Sequence, residues 1–236
     1  HRFLMERFIQ GSLEFKGTES PAHTWVKPQI QPSQYQPKLK VVSVDIETSM
    51  PTKEQKEKLY SIGFVSQWLD DKGEKRTEKR VYMLGHKEDV TPGWLILFKN
   101  VRELLVAANT YIQTLDPDVI IGWNVINFDF NVLQRVYKEH GIPFHWCRDG
   151  TEVNIRQGQN NLNFVDIAGR VIVDGIDALR NATYSFESFS LEFVSQTLLG
   201  TGKKLEGHKG SMSDRGQAIS DLFERDKIAL AKYNAN

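Results

Sequence analysis

Val41-Val-Ser-Val-Asp45-Ile-Glu47-Thr48 runs a short, mostly β-branched stretch into two carboxylates spaced two residues apart. Side chains on a strand alternate faces, so Asp45 and Glu47 point one way and Ile46 the other. Two acids on one face at the end of an apolar strand repel each other, and packing alone does not favour that arrangement. A divalent cation does: hard cations take carboxylate oxygens and keep room for phosphate oxygens. The stretch therefore predicts a strand, residues 41–47, that delivers metal-assisted phosphoryl chemistry at its end.

Outward from this strand, residues 50–58 are polar and read as a solvated loop. Leu59–Leu69 reads as a second strand, residues 71–79 as a charged turn around Gly73, and residues 80–84 as a third strand. Together the three predict an antiparallel meander. Val101, Leu104, Leu105, Ala108, Tyr111, Ile112 and Leu115 fall at helical spacing. Asp116-Pro117 stops that helix. Residues 118–123 form a short apolar run suited to a buried parallel strand, and residues 130–140 a second helix closed by Gly141. A loop or hairpin is expected at 148–163, a fifth strand at 170–173, a helix at 190–199, a Gly/Lys loop at 203–212 and helix over most of 213–233. The order predicts a mixed five-stranded sheet flanked by helices, with the site beyond the carboxyl ends of its strands.

Residues 1–40 differ in texture. An apolar start (Leu4, Met5, Phe8, Ile9) gives way to Pro28, Pro32 and Pro37 among glutamines, which reads as an extended connector with one hairpin at 12–16. The expected division is 1–38, a connector, and 39–236, the main domain. His1 in place of Met suggests a piece of a longer polypeptide.

A second group, Asn124-Val-Ile-Asn127-Phe128-Asp129, directly follows the 118–123 run and precedes a helix. A parallel strand beside the first would bring Asp129 close to Asp45 and Glu47. Three carboxylates at one sheet edge suit two cations about 4 Å apart that hold a phosphodiester. Each piece alone has a plainer reading: Asp129 as a helix cap, Asn124 as a turn residue, Phe128 and Trp123 as core, Lys203 and Lys204 as a solvated loop. Only the ordered combination, each piece at a strand end, raises the signal.

Bulk composition narrows the classes. Thirty basic and thirty acidic residues leave no global basic field, so a nucleic-acid partner would need a local groove. The single Cys147 excludes an intrachain disulfide and fits a reducing compartment. No apolar run reaches membrane-spanning length.

Asp45-Ile-Glu47-Thr48 resembles the first exonuclease motif of the family B DNA polymerases. Asn124-x3-Phe128-Asp129, within Asp116-Pro-Asp-Val-Ile-Ile-Gly-Trp-Asn124, resembles the second. Gly169-Arg-Val-Ile-Val-Asp174, Ser188-Phe-Ser-Leu191 and Leu198-Leu-Gly200 resemble later segments of the same domain, and the likeness covers essentially the whole chain. It implies an α/β, ribonuclease H-like fold of the four-acid exonuclease type and a proofreading 3′→5′ exonuclease using two Mg²⁺ or Mn²⁺ ions. By the same likeness, Asp45, Glu47 and Asp129 hold the metals, with Asp45 bridging. Tyr233 orients the attacking water, and Asn124 and Phe128 contact the terminal nucleotides. The implied partners are a single-stranded or frayed 3′ end of DNA and the remainder of the polymerase chain, with no membrane. The implied setting is the bacterial cytoplasm, at the nucleoid.

The family's third motif is Tyr-x3-Asp. Tyr233-Asn-Ala-Asn236 supplies the Tyr and the spacer, and the Asp would be the next residue. Asp221 and Asp226 do not fit the spacing. The resemblance thus implies three of four carboxylates, and a nuclease that is weak or inactive in this form. Two rivals are a free-standing ribonuclease H-like nuclease and a non-catalytic DNA-binding scaffold. The presence of all three acids argues against the scaffold.

Overall fold

A computed structural model describes residues 2–9, 11–22, 24–86, 91–158, 163–202 and 212–235. The expected Gly/Lys loop at 203–212, with Lys203 and Lys204, falls almost entirely outside them. The chain forms two units, residues 1–38 and 39–236. The first holds a one-turn helix α1 (Arg2–Met5) and a hairpin of β1 (Leu13–Glu19) and β2 (Trp25–Pro32), longer than the hairpin expected at 12–16. The pairing is antiparallel with a bulge between Lys16 and Thr18, and Phe15 meets Trp25 edge to face at 4.8 Å. Pro28 and Pro32 are tolerated because each strand of a two-stranded sheet has one unpaired edge.

The second unit is built on a mixed sheet. β3 (Val41–Thr48), β4 (Leu59–Leu69) and β5 (Lys75–Leu84) form the expected antiparallel meander. β6 (Leu95–Phe98) adds parallel to β5 at one edge. On the other side β7 (Val119–Gly122) runs parallel to β3, and β10 (Val171–Asp174) parallel to β7. The order is β10-β7-β3-β4-β5-β6. The mixed α/β class therefore stands, with six strands where five were expected, because residues 95–98 pair at the edge. A separate hairpin, β8 (Asn154–Gln157) with β9 (Asn163–Asp166), occupies the polar segment before β10.

Alternation along β5 separates two cores. Tyr82 joins the larger one, with Val42, Val44, Ile46, Ile62 and Phe64 of the sheet and the apolar faces of α2 (Val101–Leu115) and α3 (Asp129–Glu139). Val81 and Met83 point the other way and meet Leu95, Leu230 and Ala231. That second face carries α6 (Met212–Arg225) and α7 (Lys227–Asn234). The segment 213–233 is mostly helical as expected, in two helices divided where Asp226 caps α7 by accepting the Ala229 N–H at 2.9 Å. Two further helices, α4 (Gly175–Asn181) and α5 (Leu191–Leu199), follow β10, with Ser190 capping α5. Among the described residues no helix is long and apolar enough to cross a membrane.

α2 shows why local chemistry sets the boundaries. The Asn100 side-chain oxygen caps it by accepting the Glu103 N–H at 2.9 Å, and the Asn100 side-chain Nδ2 donates to Glu103 Oε1 at 3.0 Å, steadying the cap. At its other end Asp116 turns left-handed, with φ of 48°, just before Pro117. A charge network then ties this end of the sheet together. Arg148 donates to Asp116 at 2.7 Å and to Asp118 at 2.9 Å, Arg170 donates to Asp116 at 2.7 Å, and the Lys40 N–H donates to Asp118 at 2.8 Å. The Arg148 guanidinium holds the Asp116 carboxyl below its usual range against the cost of burial, with Arg170 adding to the lowering.

Candidate active site

The acids converge at the end of β3 opposite that network. β7 pairs with β3 only from Val41 to Ser43, so beyond Ser43 the β3 edge has no strand partner on that side. Asp129, the first residue of α3, fills the gap: its Oδ1 accepts the Ile46 N–H at 2.9 Å. Ile46 lies between Asp45 and Glu47, so this bond sets the third carboxylate against the pair. Asp129 does not cap its own helix; the N-cap is Phe128, which makes no side-chain bond there. Glu47 and Asp129 are buried, with 5% and 3% of their surface exposed, and Asp45 is half-buried.

Burial pushes the Asp129 carboxyl well above the usual carboxylate range. The Asp45 charge pushes it further and Glu47 adds to this, while the Ile46 N–H and the Asp129 N–H pull the other way. Among the described residues no three His, Cys, Asp or Glu side chains stand ready-made around a cation position. In kind, however, the donors fit a hard divalent cation. They are three carboxylates, one of them desolvated and driven toward its neutral form by its neighbours, and a cation would relieve that repulsion.

The turn that carries Asp129 is held by a residue the sequence reading did not select. Asn124 sits in the left-handed region with φ of 58°, and its N–H donates to Asp174 Oδ1 at 3.1 Å. Asp174 Oδ2 accepts the Ile126 N–H at 3.1 Å, and Oδ1 also accepts the Ile176 N–H at 2.9 Å, capping α4. Gly122 is required here, because a Cβ would lie 2.7 Å from Val125 Cβ and 2.8 Å from the Val44 carbonyl oxygen. Asn124 and Phe128 are both exposed on this turn, Phe128 at 41%. Two signals marked Asp174: its place after Val171-Ile-Val, an acid ending a β-branched run as Asp45 does, and its place in the Gly169–Asp174 segment that resembles the family.

α7 brings in the fourth side of the site. Tyr233 is half-buried and packs on the second core. The next residue, Asn234, is only 4% exposed and donates from Nδ2 to Asp45 Oδ2 at 3.0 Å and to the Asp45 carbonyl oxygen at 3.2 Å. Its Oδ1 accepts the Ser61 hydroxyl at 3.0 Å. No pattern in the sequence marks this amide. Beside Asp45 and Asn234 opens a cavity of about 590 Å³, walled by Trp123, Leu191 and Gly175 among others. The Trp123 indole N–H donates to the Phe189 carbonyl at 3.0 Å, fixing that wall to the segment before α5. The structure thus gathers Asp45, Glu47, Asp129 and Asn234, with Asn124 and Phe128 on the adjoining turn.

The family model for the exonuclease domain of DNA polymerase family B matches residues 16–194. The chain is similar to DNA polymerase II of Escherichia coli (strain K12), 38% identical over 239 residues, covering 99% of this chain and 28% of that protein. It is also similar to a DNA polymerase of Thermococcus kodakarensis, 28% identical over 170 residues that cover 67% of this chain and 10% of that protein. With the DNA polymerase delta catalytic subunit of Bos taurus it shares 32% identity over 118 residues, 45% of this chain and 11% of that protein. The chain spans 28% or less of the length of each of these relatives. The six-stranded mixed sheet with helices on both faces accords with the ribonuclease H-like fold of that exonuclease domain. By sequence and by fold, the chain belongs to the exonuclease domain of the family B DNA polymerases.

Proposed function

We propose that this chain is the proofreading part of a DNA-directed DNA polymerase, removing nucleotides from a single-stranded or frayed 3′ end by hydrolysing the terminal phosphodiester. The observation that carries this is the Asp129 carboxylate hydrogen-bonded to the main chain between Asp45 and Glu47, in a buried setting where their charges oppose its ionisation.

Asp45, Glu47 and Asp129 would hold two Mg²⁺ or Mn²⁺ ions. Such ions, when bound, generate hydroxide near neutral pH and offset charge on the leaving oxygen. The rest falls to the chain's own groups. Tyr233, with a phenol that both donates and accepts, orients the attacking water. Phe128, exposed on the turn before Asp129, stacks on a terminal base, and any base offers a π-face, which suits an enzyme that must accept every end. Asn124 beside it contacts the same nucleotides. Selectivity for mispairs follows from the lower cost of fraying them.

Residues 1–38 would be a remnant of the N-terminal polymerase domain, residues 39–236 the exonuclease domain, and the rest of the polymerase their partner. The setting is the bacterial cytoplasm, at DNA. Asp45, Glu47 and Asp129 are three of the four carboxylates that the family resemblance calls for; the fourth would fall four residues after Tyr233. The test is release of 3′-terminal mononucleotides from a labelled single strand with Mn²⁺, by this chain and by one continued past Asn236 with Asp as the next residue. Activity in the longer chain that Asp45→Ala abolishes supports the reading. Activity unchanged by Asp45→Ala overturns it.

A further inference from the structure

We propose that Asn234 is a positioning residue for Asp45. It would act as an amide brace that fixes the side-chain rotamer of this acid and so sets how it presents its oxygens to a cation. The inference rests on the metal reading above for its consequence, but on geometry alone for the brace.

One nitrogen, Nδ2, donates to both the main-chain oxygen and Oδ2 of the same residue, at 3.2 and 3.0 Å. A donor shared between a residue's own carbonyl and its carboxylate can be satisfied only in a rotamer that swings the carboxylate back toward the main chain, so χ1 of Asp45 is held. The chemistry also sets which way the amide faces. Turned over, its oxygen would confront two acceptors and its nitrogen would face Ser61.

The seat for this amide is built from the cross-strand neighbours of the two acids. In the β3–β4 pairing Asp45 stands opposite Gly63 and Glu47 opposite Ser61. Ser61 and Gly63, two apart on β4, share a face. Ser61 orients the amide through its hydroxyl at 3.0 Å, and Gly63 clears space for it. A Cβ on residue 63 would come within 2.9 Å of the Asn234 main-chain oxygen and of its side-chain carbon and oxygen. Three elements therefore converge on one carboxylate: β3 supplies it, its neighbour β4 supplies the seat and α7, far along the chain, supplies the brace. Held partners of this kind orient metal ligands, and their loss typically weakens metal binding by 10- to 100-fold.

The test uses the 236-residue chain with two readouts, at a temperature where every variant is folded. Three-bond couplings to the Asp45 side-chain carboxyl carbon, measured by NMR without metal, report its χ1. Wild type is expected to show one rotamer, Asn234→Ala an average over rotamers, and Ser61→Ala, which only frees the amide, a value between them. Paramagnetic resonance of free Mn²⁺ reports affinity for the metal alone. Asn234→Ala is expected to raise the Mn²⁺ dissociation constant about tenfold, or about 1.4 kcal/mol, and Asp45→Asn to remove that binding. A purely structural helix anchor would lower the melting temperature of Asn234→Ala and leave both readouts as in wild type, which overturns the proposal. If Asn234→Ala does not fold, unaltered Asp45 couplings in Ser61→Ala overturn it. Mn²⁺ binding that is equal in wild type and Asp45→Asn refutes the metal reading instead, and the couplings still decide the brace.

Discussion

Asp174→Ala should be among the most damaging single changes outside the acid cluster. The buried carboxylate of Asp174 accepts three main-chain N–H groups, from Asn124 and Ile126 at 3.1 Å and Ile176 at 2.9 Å. Removing it leaves those donors without their acceptor in a part-buried turn, and removes the cap of α4. Hydrogen bonds to charged groups contribute about 1.5–3 kcal/mol each when fully formed. Two of the three share one oxygen, so each is taken near the weak end, about 1–1.5 kcal/mol, which sums to a loss of about 3–4.5 kcal/mol. Asp174→Asn keeps one good acceptor but turns an amide N–H toward a donor, and should cost about 2 kcal/mol. Urea unfolding followed by tryptophan fluorescence measures both. Hydrogen exchange at the Asn124, Ile126 and Ile176 amides shows whether the turn loosens locally. A loss under about 1 kcal/mol for Asp174→Ala, or unchanged exchange at those amides, would refute the assignment of this carboxylate as the clamp of the turn.

Gly63→Ala forces a methyl to 2.9 Å from the Asn234 main chain and should destabilise by about 1–3 kcal/mol in chemical unfolding, through overpacking. Asp129→Asn replaces a desolvated acid beside two others with a neutral isostere that can still accept the Ile46 N–H. In metal-free buffer at neutral pH it should raise the melting temperature by about 2–4 °C, the scale of about 1 kcal/mol in a chain this long; a lower temperature would count against the repulsion described for this site. The Asp116 carboxyl is held below its ordinary value by Arg148, so its contribution is present above that value and lost as pH falls through the depressed one. Stability of wild type should therefore decline more steeply than that of Arg148→Ala below about pH 4, and parallel acid curves for the two would contradict the pairing.

Local signals carried the sequence reading where one strand or helix settles its own fate. Leu59–Leu69 and Val101–Leu115 are read with their observed bounds, the first from apolar β-forming content and the second from helical spacing with a stop at Asp116-Pro117. β5 extends back to Lys75, beyond the expected start at 80, because its charged half pairs with the far end of β4 while staying exposed. Pattern alone gives such a segment no apolar face to reveal it. β6 was missed for the opposite reason: four apolar residues after Pro92-Gly93 read equally well as buried loop. The α6–α7 break escaped notice because helical periodicity continues across Asp226. In the site, the β3 acids and Asp129 were legible because each ends or follows a strand. Asp174 also ends a strand, but what it does there, clamping the Asn124 turn about 50 residues away, is not encoded locally, and Asn234 sits inside a helix with its carboxylate partner 189 residues away.

The 189-residue interval between Asp45 and Asn234 also bears on when the site comes into being. The sheet and the larger core draw on residues up to 174, whereas the second core closes only when α6 and α7 return to β5 and β6. Contacts so distant in the chain are costly to close early, so these helices should dock late on refolding. During synthesis, which proceeds from the N-terminus, the acid cluster would stand without its brace until α7 leaves the ribosome. With Asn234 as the brace, chain order would delay a fully braced acid site until the domain around it is in place.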